Sequence, residues 1–423
     1  MIKLIKNSQY LILLCLLMVS SLTYAQGSRY TGTYKNSAPI QYKNKSNIII
    51  EGLEISNIDR LGIALFNCDN VIIRNCKFKN IGTSVAIYAE KSSNITIQDC
   101  SFENVHRGVM ASMGTGNIKI EHNDFKNILG ENQGGSIVSF AAQFNKCSGA
   151  GNSISYNSIE NIQGESSPAD IINVFASNGT SASPIIVNNN WLRGGGPYKS
   201  GGGILLGDFG GSYQTAENNI VVNPGQYGMA IGGGNNMTIR NNKIYGKKQP
   251  FTNVGLYAVN WTAKISPSHS MTVENNEINY LNADGKLNIT WFDSSAGTIK
   301  GIETNKYNSN LDESILPKVI IGSAKNSSED TPPVTPPVTD EPSLITEVYI
   351  DSFKRIAIKY LVSSIPIPIA HAEGYTSTGK LLIAMTLPRY NQAFPISVPK
   401  GDYYIKITYP ELGKTETTKV TIK

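Results

Sequence analysis

Asn70-Val-Ile-Ile-Arg-Asn-Cys-Lys-Phe-Lys-Asn80-Ile81 returns along the chain with drifting wording. It reads next as Asn94-Ile-Thr-Ile-Gln-Asp-Cys-Ser-Phe-Glu-Asn104-Val105, then as Asn117-Ile-Lys-Ile-Glu-His-Asn-Asp-Phe-Lys-Asn127-Ile128. Further copies centre on Asn157, Asn190, Asn219, Asn242, Asn276 and Asn305, and an earlier one on Leu53. Counted between central positions 53, 76, 100, 123, 157, 190, 219, 242, 276 and 305, the steps are 23, 24, 23, 34, 33, 29, 23, 34 and 29 residues. A period in this range marks a solenoid, whose units bury their apolar face only by stacking on their neighbours.

Within each copy Ile, Val and Phe alternate with Asn, Lys, Thr and Glu, the period-2 pattern of half-buried strands. Asn stands at the bends, where it tolerates positive φ and bonds its own backbone. A second strand follows most copies, as in Gly62-Ile-Ala-Leu-Phe66, Ser84-Val-Ala-Ile-Tyr88, Ile171-Ile-Asn-Val-Phe175 and Tyr227-Gly-Met-Ala-Ile231. Two or three short strands per two dozen residues, with no helical segment, describe one coil of a parallel β-helix. Leucine-rich repeats fail on Leu spacing, and propeller blades need roughly 40 residues each.

Outside the solenoid, residues 1–25 carry the pattern of a secretory signal: Lys3 and Lys6, an apolar run from Tyr10 to Met18, then Thr23-Tyr24-Ala25. No other segment is long and apolar enough to span a bilayer. The expectation is an exported protein, secreted or held at a cell surface, and monomeric. Losing the signal removes two lysines and lowers the formal net charge from +5 to +3, too little for nucleic acid binding. Domain boundaries fall at 27–321 for the β-helix, 322–343 for a Pro/Thr/Ser-rich spacer, and 344–423 for a small C-terminal β-sandwich. The fold class is therefore all-β: a parallel β-helix of about ten coils, a linker and a sandwich.

Four cysteines, Cys68, Cys76, Cys100 and Cys147, remain after the signal. Cys76 and Cys100 hold one repeat position on adjacent coils, about 4.8 Å apart. Either a disulfide formed after export or a stack of small buried side chains fits that placement. His106, His122, His269 and His371 are scattered without metal-ligand spacing, so no metal or other cofactor is required. Asp208 with backbone carbonyls could serve Ca²⁺, but no carboxylate cluster calls for it.

The longer steps place inserted loops on consecutive coils between about residues 130 and 290, where they wall off a groove suited to a polymer. From Trp191 to Trp261 the bases are Arg193, Lys199, Arg240, Lys243, Lys247 and Lys248, against Asp208 and Glu217. Tyr198, Tyr213, Tyr227, Tyr245 and Tyr257 are interleaved with them. Cations beside aromatic platforms suit an acidic polysaccharide. β-Elimination from a uronate needs a neutralised carboxylate, a base and an acid, and Lys and Tyr of lowered pKa can fill those roles. Lys199, Tyr213, Tyr227, Lys248 and Tyr257 are the catalytic candidates; Arg193, Tyr198, Asp208, Gln226 and Trp261 are the substrate-binding candidates. Asp170 and Asp208 are the best carboxylate pair for hydrolysis, but they occupy opposite ends of their strands, which disfavours that reaction.

The repeats resemble the right-handed parallel β-helix proteins of the pectate-lyase-like superfamily, over about residues 40–321. The stretches Gly201–Asp208, Asn223–Gly228 and Pro250–Tyr257 are similar to secreted bacterial proteins related to alginate lyases, which implies Tyr and Lys catalysis on a uronate polymer such as alginate. The pectate lyase Trp-Ile-Asp-His signature and the polygalacturonase motifs are absent. Ser377-Thr-Gly-Lys380, Val398–Ile407 and the terminal Lys-Val-Thr-Ile-Lys423 resemble type IX secretion sorting domains, which implies export machinery as a partner; their usual opening Pro-Asn-Pro is missing. The expected function is a polysaccharide lyase, with a non-catalytic glycan-binding or adhesin-like protein second and a glycoside hydrolase third.

Overall fold

The computed structural model describes residues 33–130, 138–198, 200–262 and 268–321, together with seven strands between 346 and 422. The signal segment, Lys199 and the whole of the 322–343 spacer lie outside the described residues. The chain divides into two compact units, Met1–Pro332 and Pro333–Lys423.

Among the described residues of the first unit 28 strands pair in parallel, each with its counterpart one coil away. They form three faces of a right-handed β-helix. Sheet A runs from Ser46–Glu51 to Ile299–Lys300, sheet B from Lys35–Asn36 to Lys306–Tyr307, and sheet C from Ile40–Lys43 to Thr290–Phe292. The register follows the repeat: Ile73 pairs with Ile97 and Ile97 with Ile120 on sheet A. On sheet B Phe78 pairs with Phe102 and Phe102 with Phe125, their rings stacked at 5.0 and 4.5 Å. These inward positions are fully buried, each contributing about 1.5–3 kcal/mol.

The central asparagines of the repeat are also buried, at the corner between sheets A and B. Asn157 donates its backbone N–H and its side-chain Nδ2 to Asn190 Oδ1, both at 3.0 Å, and Nδ2 also reaches Ile120 O at 2.9 Å. The pattern recurs from Asn123 to Asn305, with bonds spanning 34, 33, 29, 23, 34 and 29 residues. Those spans are the steps of the sequence repeat. A residue of positive φ precedes each rung, among them Asn189, Asn218, Asn241 and Asn275; an amide at the bend lets the chain turn inward while its polar groups stay paired. Cys76 and Cys100 occupy the same position as buried free thiols. The stack has small side chains there, and no disulfide links them.

After the last coil the chain turns back over the outside of sheet B. Leu316 and Ile320 pack with Val222, against Trp191, Ile220 and Tyr245. No helix among the described residues is long and apolar enough to cross a membrane. The second unit holds two antiparallel sheets. One contains Thr346–Ile350, Ile356–Tyr360 and Gln392–Ala393; the other contains Leu381–Leu387, Ala370–Thr376, Gly401–Tyr409 and Lys414–Ile422. Buried Tyr403, Ile405 and Ile407 alternate with exposed Tyr404 and Lys406, as a half-buried strand requires.

Candidate functional site

The outer face of sheet C gathers the chemistry. Its strand Ile172–Asn178 points Ile172 and Val174 inward and Asn173 outward. Ile171 is also in the core, so two consecutive inward residues put Asp170 on the outside. One coil on, Ile204 and Leu206 point inward, and simple alternation would carry Asp208 inward too. Instead the register slips: Val174 pairs with Leu206 but Phe175 with Asp208, leaving Gly207 as an extra residue at φ 63°. A bulge of this kind re-aims every later side chain. Buried Gln214 holds it, its Oε1 accepting from Gly207 N at 2.8 Å while Nε2 donates to Ser177 O at 2.8 Å.

The two corrections bring the aspartates together. Asn173 Nδ2 donates to Asp170 Oδ2 at 3.0 Å and to Asp208 Oδ2 at 2.9 Å. Sharing one nitrogen, these oxygens lie within about 6 Å of each other. The expectation that their placement at opposite ends of the strands disfavours hydrolysis is thus corrected, since both side chains meet on one amide. Asn173 is itself aimed by Gln143, whose Nε2 donates to Asn173 Oδ1 at 3.2 Å. From two coils away Tyr227 lies against Gly202, where a Cβ would meet its ring at 2.5 Å, and its hydroxyl donates a short bond to Asp170 Oδ1. Tyr257 closes edge-on against Tyr227, centroids 5.0 Å apart.

Burial pushes the Asp170 carboxyl up to about 7, with the charge of Asp208 adding to it and the Tyr227 hydroxyl opposing it. Asp208 is raised by burial and restrained by the Asn173 amide. Burial raises Tyr227 and Tyr257 well above the ordinary phenol, and the neighbouring carboxylates push the same way. That corrects the expectation of tyrosines lowered by nearby cations: both are protonated donors at neutral pH. Between the unfolded value near 3.8 and the folded value near 7, unfolding releases the Asp170 proton. Stability therefore declines as pH rises through that window and then levels off. Asp170→Asn is expected to melt higher than the parent at pH 8 and no higher at pH 4; equal differences at both would show that Asp170 is not held protonated.

The described cations of the Trp191–Trp261 stretch are elsewhere. Arg193, on sheet B, pairs with Glu160 at 2.9 Å and donates to the carbonyls of Pro317 and Lys318 in the returning tail. Lys247 pairs with Glu313 at 2.7 Å, and Arg240 with Glu217 at 2.7 Å on sheet A. Lys243 stands on sheet B beside Glu277. Lys248 is exposed where the coil passes from sheet B to sheet C, beside Gly285. A cleft of about 200 Å³ lined by Arg193, Gly194, Lys247 and Gln249 lies at the end of sheet B and contains neither aspartate. Of the other candidates, Tyr213 is a turn residue at φ 51° entering sheet A. Tyr198 is buried in the Gly-rich loop, and Gln226 precedes Tyr227 and bonds Gly201 through its backbone. Trp261 stands at the far end of sheet C, its ring 6.3 Å from Tyr257. The structure joins Asp208, Tyr227, Tyr257 and Trp261 on one face and leaves Arg193 and Lys248 off it. Asp170 and Asn173 complete the group; a polar residue at an outward strand position was the signal available for Asn173.

Among the described residues no three His, Cys, Asp or Glu side chains converge as a metal centre would require. Residues 33–196 match the family model described as "Right handed beta helix region". No curated protein and no solved structure matches the chain significantly. Fold and family match agree with a pectate-lyase-like or glycan-binding class of protein, without singling out one reaction.

Proposed function

We propose that this protein is a glycan-cleaving enzyme that works outside the cell as a glycoside hydrolase, with Asp170 and Asp208 as its acid–base pair. One observation carries the reading: two carboxyls of unequal environment share a single amide on the outer face of one β-sheet. Glycoside hydrolysis asks for a pair of carboxyls flanking one bond, one of them protonated at working pH. Asp170, with its pKa near 7, protonates the leaving oxygen. Asp208, less buried and restrained by the Asn173 amide, is the partner that serves the sugar carbon or an attacking water. Asn173 fixes the spacing, and Tyr227 orients Asp170. The polyuronate lyase expected from sequence has less support, because the ion-paired cations lie on other sheets and the tyrosines are raised.

The test is incubation with neutral polysaccharides (xylan, mannan, β-glucans) and with alginate and polygalacturonate, following reducing ends and ultraviolet absorbance together. Reducing ends without unsaturation support hydrolysis. Unsaturated ends would replace it with elimination, and binding without shortening would make the protein a non-catalytic binder. The rate is further expected to fall as pH rises through about 7, where Asp170 loses its proton. An alkaline limb unmoved in Tyr227→Phe would remove Tyr227 from the orienting role, since loss of its hydroxyl bond should raise that limb.

A further inference from the structure

Large aromatic side chains stand open on this same face. Phe209 is 64% exposed, Trp261 53% and Trp291 50%. Phe209, at φ 60° just past the bulge, stacks on Phe175 of the preceding coil with centroids 5.4 Å apart. Trp261 lies on the other side of Asp208 along the axis: a Cβ built on Gly232, one coil beyond Asp208, would lie 2.6 Å from its ring carbon Cζ3. Asp208 therefore sits between two open rings displaced in opposite directions along the solenoid. Tyr257 and Trp291 continue the aromatic surface on the next coils, with centroids 6.1 Å apart. Coils advance about 4.8 Å each, so these rings follow one another along the axis rather than enclosing a single sugar.

We infer that Phe209 and Trp261 are stacking platforms for a neutral linear glycan lying parallel to the helix axis, with the bond to be cleaved above Asp170 and Asp208. The inference rests on the hydrolase reading for the position of that bond, not for the binding surface. Sugar faces present C–H groups that pack on aromatic rings, while the Asp208 carboxyl offers hydrogen bonds to hydroxyls between the platforms. Around the cleavage point a neutral chain fits because the two carboxyls stand there, whereas Arg193, Arg240 and Lys243 are on sheets A and B and Arg107, the sheet C cation in register with Phe140, lies two coils before Asp170. A polyanion would meet like charge at the pair. Gly232 is a positioning residue: its missing side chain is what lets the Trp261 ring lie flat on the wall.

The experiment uses the full chain carrying Asp208→Asn, titrated with neutral oligosaccharides from disaccharide to hexasaccharide (xylo-, manno-, cello- and laminari-series) and with oligoalginate and oligogalacturonate. Intrinsic tryptophan fluorescence reports binding. At least one neutral series should quench it, with affinity climbing with length through the tetrasaccharide. Trp261→Ala and Phe209→Ala should each weaken binding about tenfold or more, and Gly232→Ala should reproduce the Trp261 defect. Trp191→Phe, under the returning tail, should bind as the parent does. Binding confined to the acidic series, affinity independent of length, or binding unchanged in Trp261→Ala would each overturn the inference. Platform variants that lose binding while the unmutated protein cleaves nothing would uphold the platforms and remove the hydrolase. Cleavage unaffected by loss of both rings would do the reverse.

Discussion

Asp170→Asn and Asp208→Asn are each expected to lower glycan cleavage about 10²–10⁴-fold while the fold stays intact. Both side chains are held from outside themselves, by Asn173 and, for Asp170, by Tyr227. An amide of equal size keeps the packing and the oxygen that Asn173 bonds; it removes the proton donor or the negative charge and, at 170, sets an N–H against the Tyr227 oxygen in place of the carboxyl oxygen. The losses should not multiply in the double variant, because acid and base serve one transition state. Asn173→Ala tests the arrangement rather than either group. It leaves both aspartates in place but frees them from their common tether, and should cost about tenfold to a hundredfold, mostly in kcat. Turnover measured on whichever polymer the protein cleaves decides the matter: either aspartate variant retaining half the parental rate would remove that residue from the chemistry.

Asn219→Ala should have the largest effect on stability, about 3–5 kcal/mol. Asn219 accepts from Asn190 N and Nδ2 at 3.0 Å each and donates Nδ2 to Val187 O at 2.9 Å and Asn242 Oδ1 at 3.0 Å. Its removal leaves the buried Asn190 N–H on the preceding coil without its acceptor and takes one bond each from Asn190 Nδ2 and Val187 O on that coil and from Asn242 Oδ1 on the next. Because a solenoid is held by nearest-neighbour interfaces, the loss falls on the coils that carry Gly207, Asp208 and Tyr227. Urea unfolding followed by circular dichroism checks it. The comparison is Arg74→Ala, which breaks the exposed pair with Glu51 and should cost no more than about 1 kcal/mol. Similar midpoints for the two variants would mean that the amide ladder adds little.

The fold was legible because its cause is local and repeated. Asn at each bend, Phe at one inward position and Ile at another recur often enough to fix the register, and the ladder from Asn123 to Asn305 keeps the steps read from the phrase itself. The same reading gathered Lys, Arg and Tyr into one basic, aromatic groove, because between Trp191 and Trp261 they are neighbours in sequence. A coil passes over three faces in that distance, and Arg193, Arg240 and Tyr257 end on sheets B, A and C.

Sequence alone therefore determined the architecture, its corners and its core, since alternation and stacking depend only on residue type and period. Tertiary structure decided the site. A one-residue slip at Gly207 and two successive inward residues at Ile171 and Ile172 turn Asp208 and Asp170 outward, and an amide on the strand that follows Asp170 sets their spacing. A single extra residue moves a side chain from one side of a sheet to the other, and in a glycine-rich stretch no alternating pattern remains to reveal it.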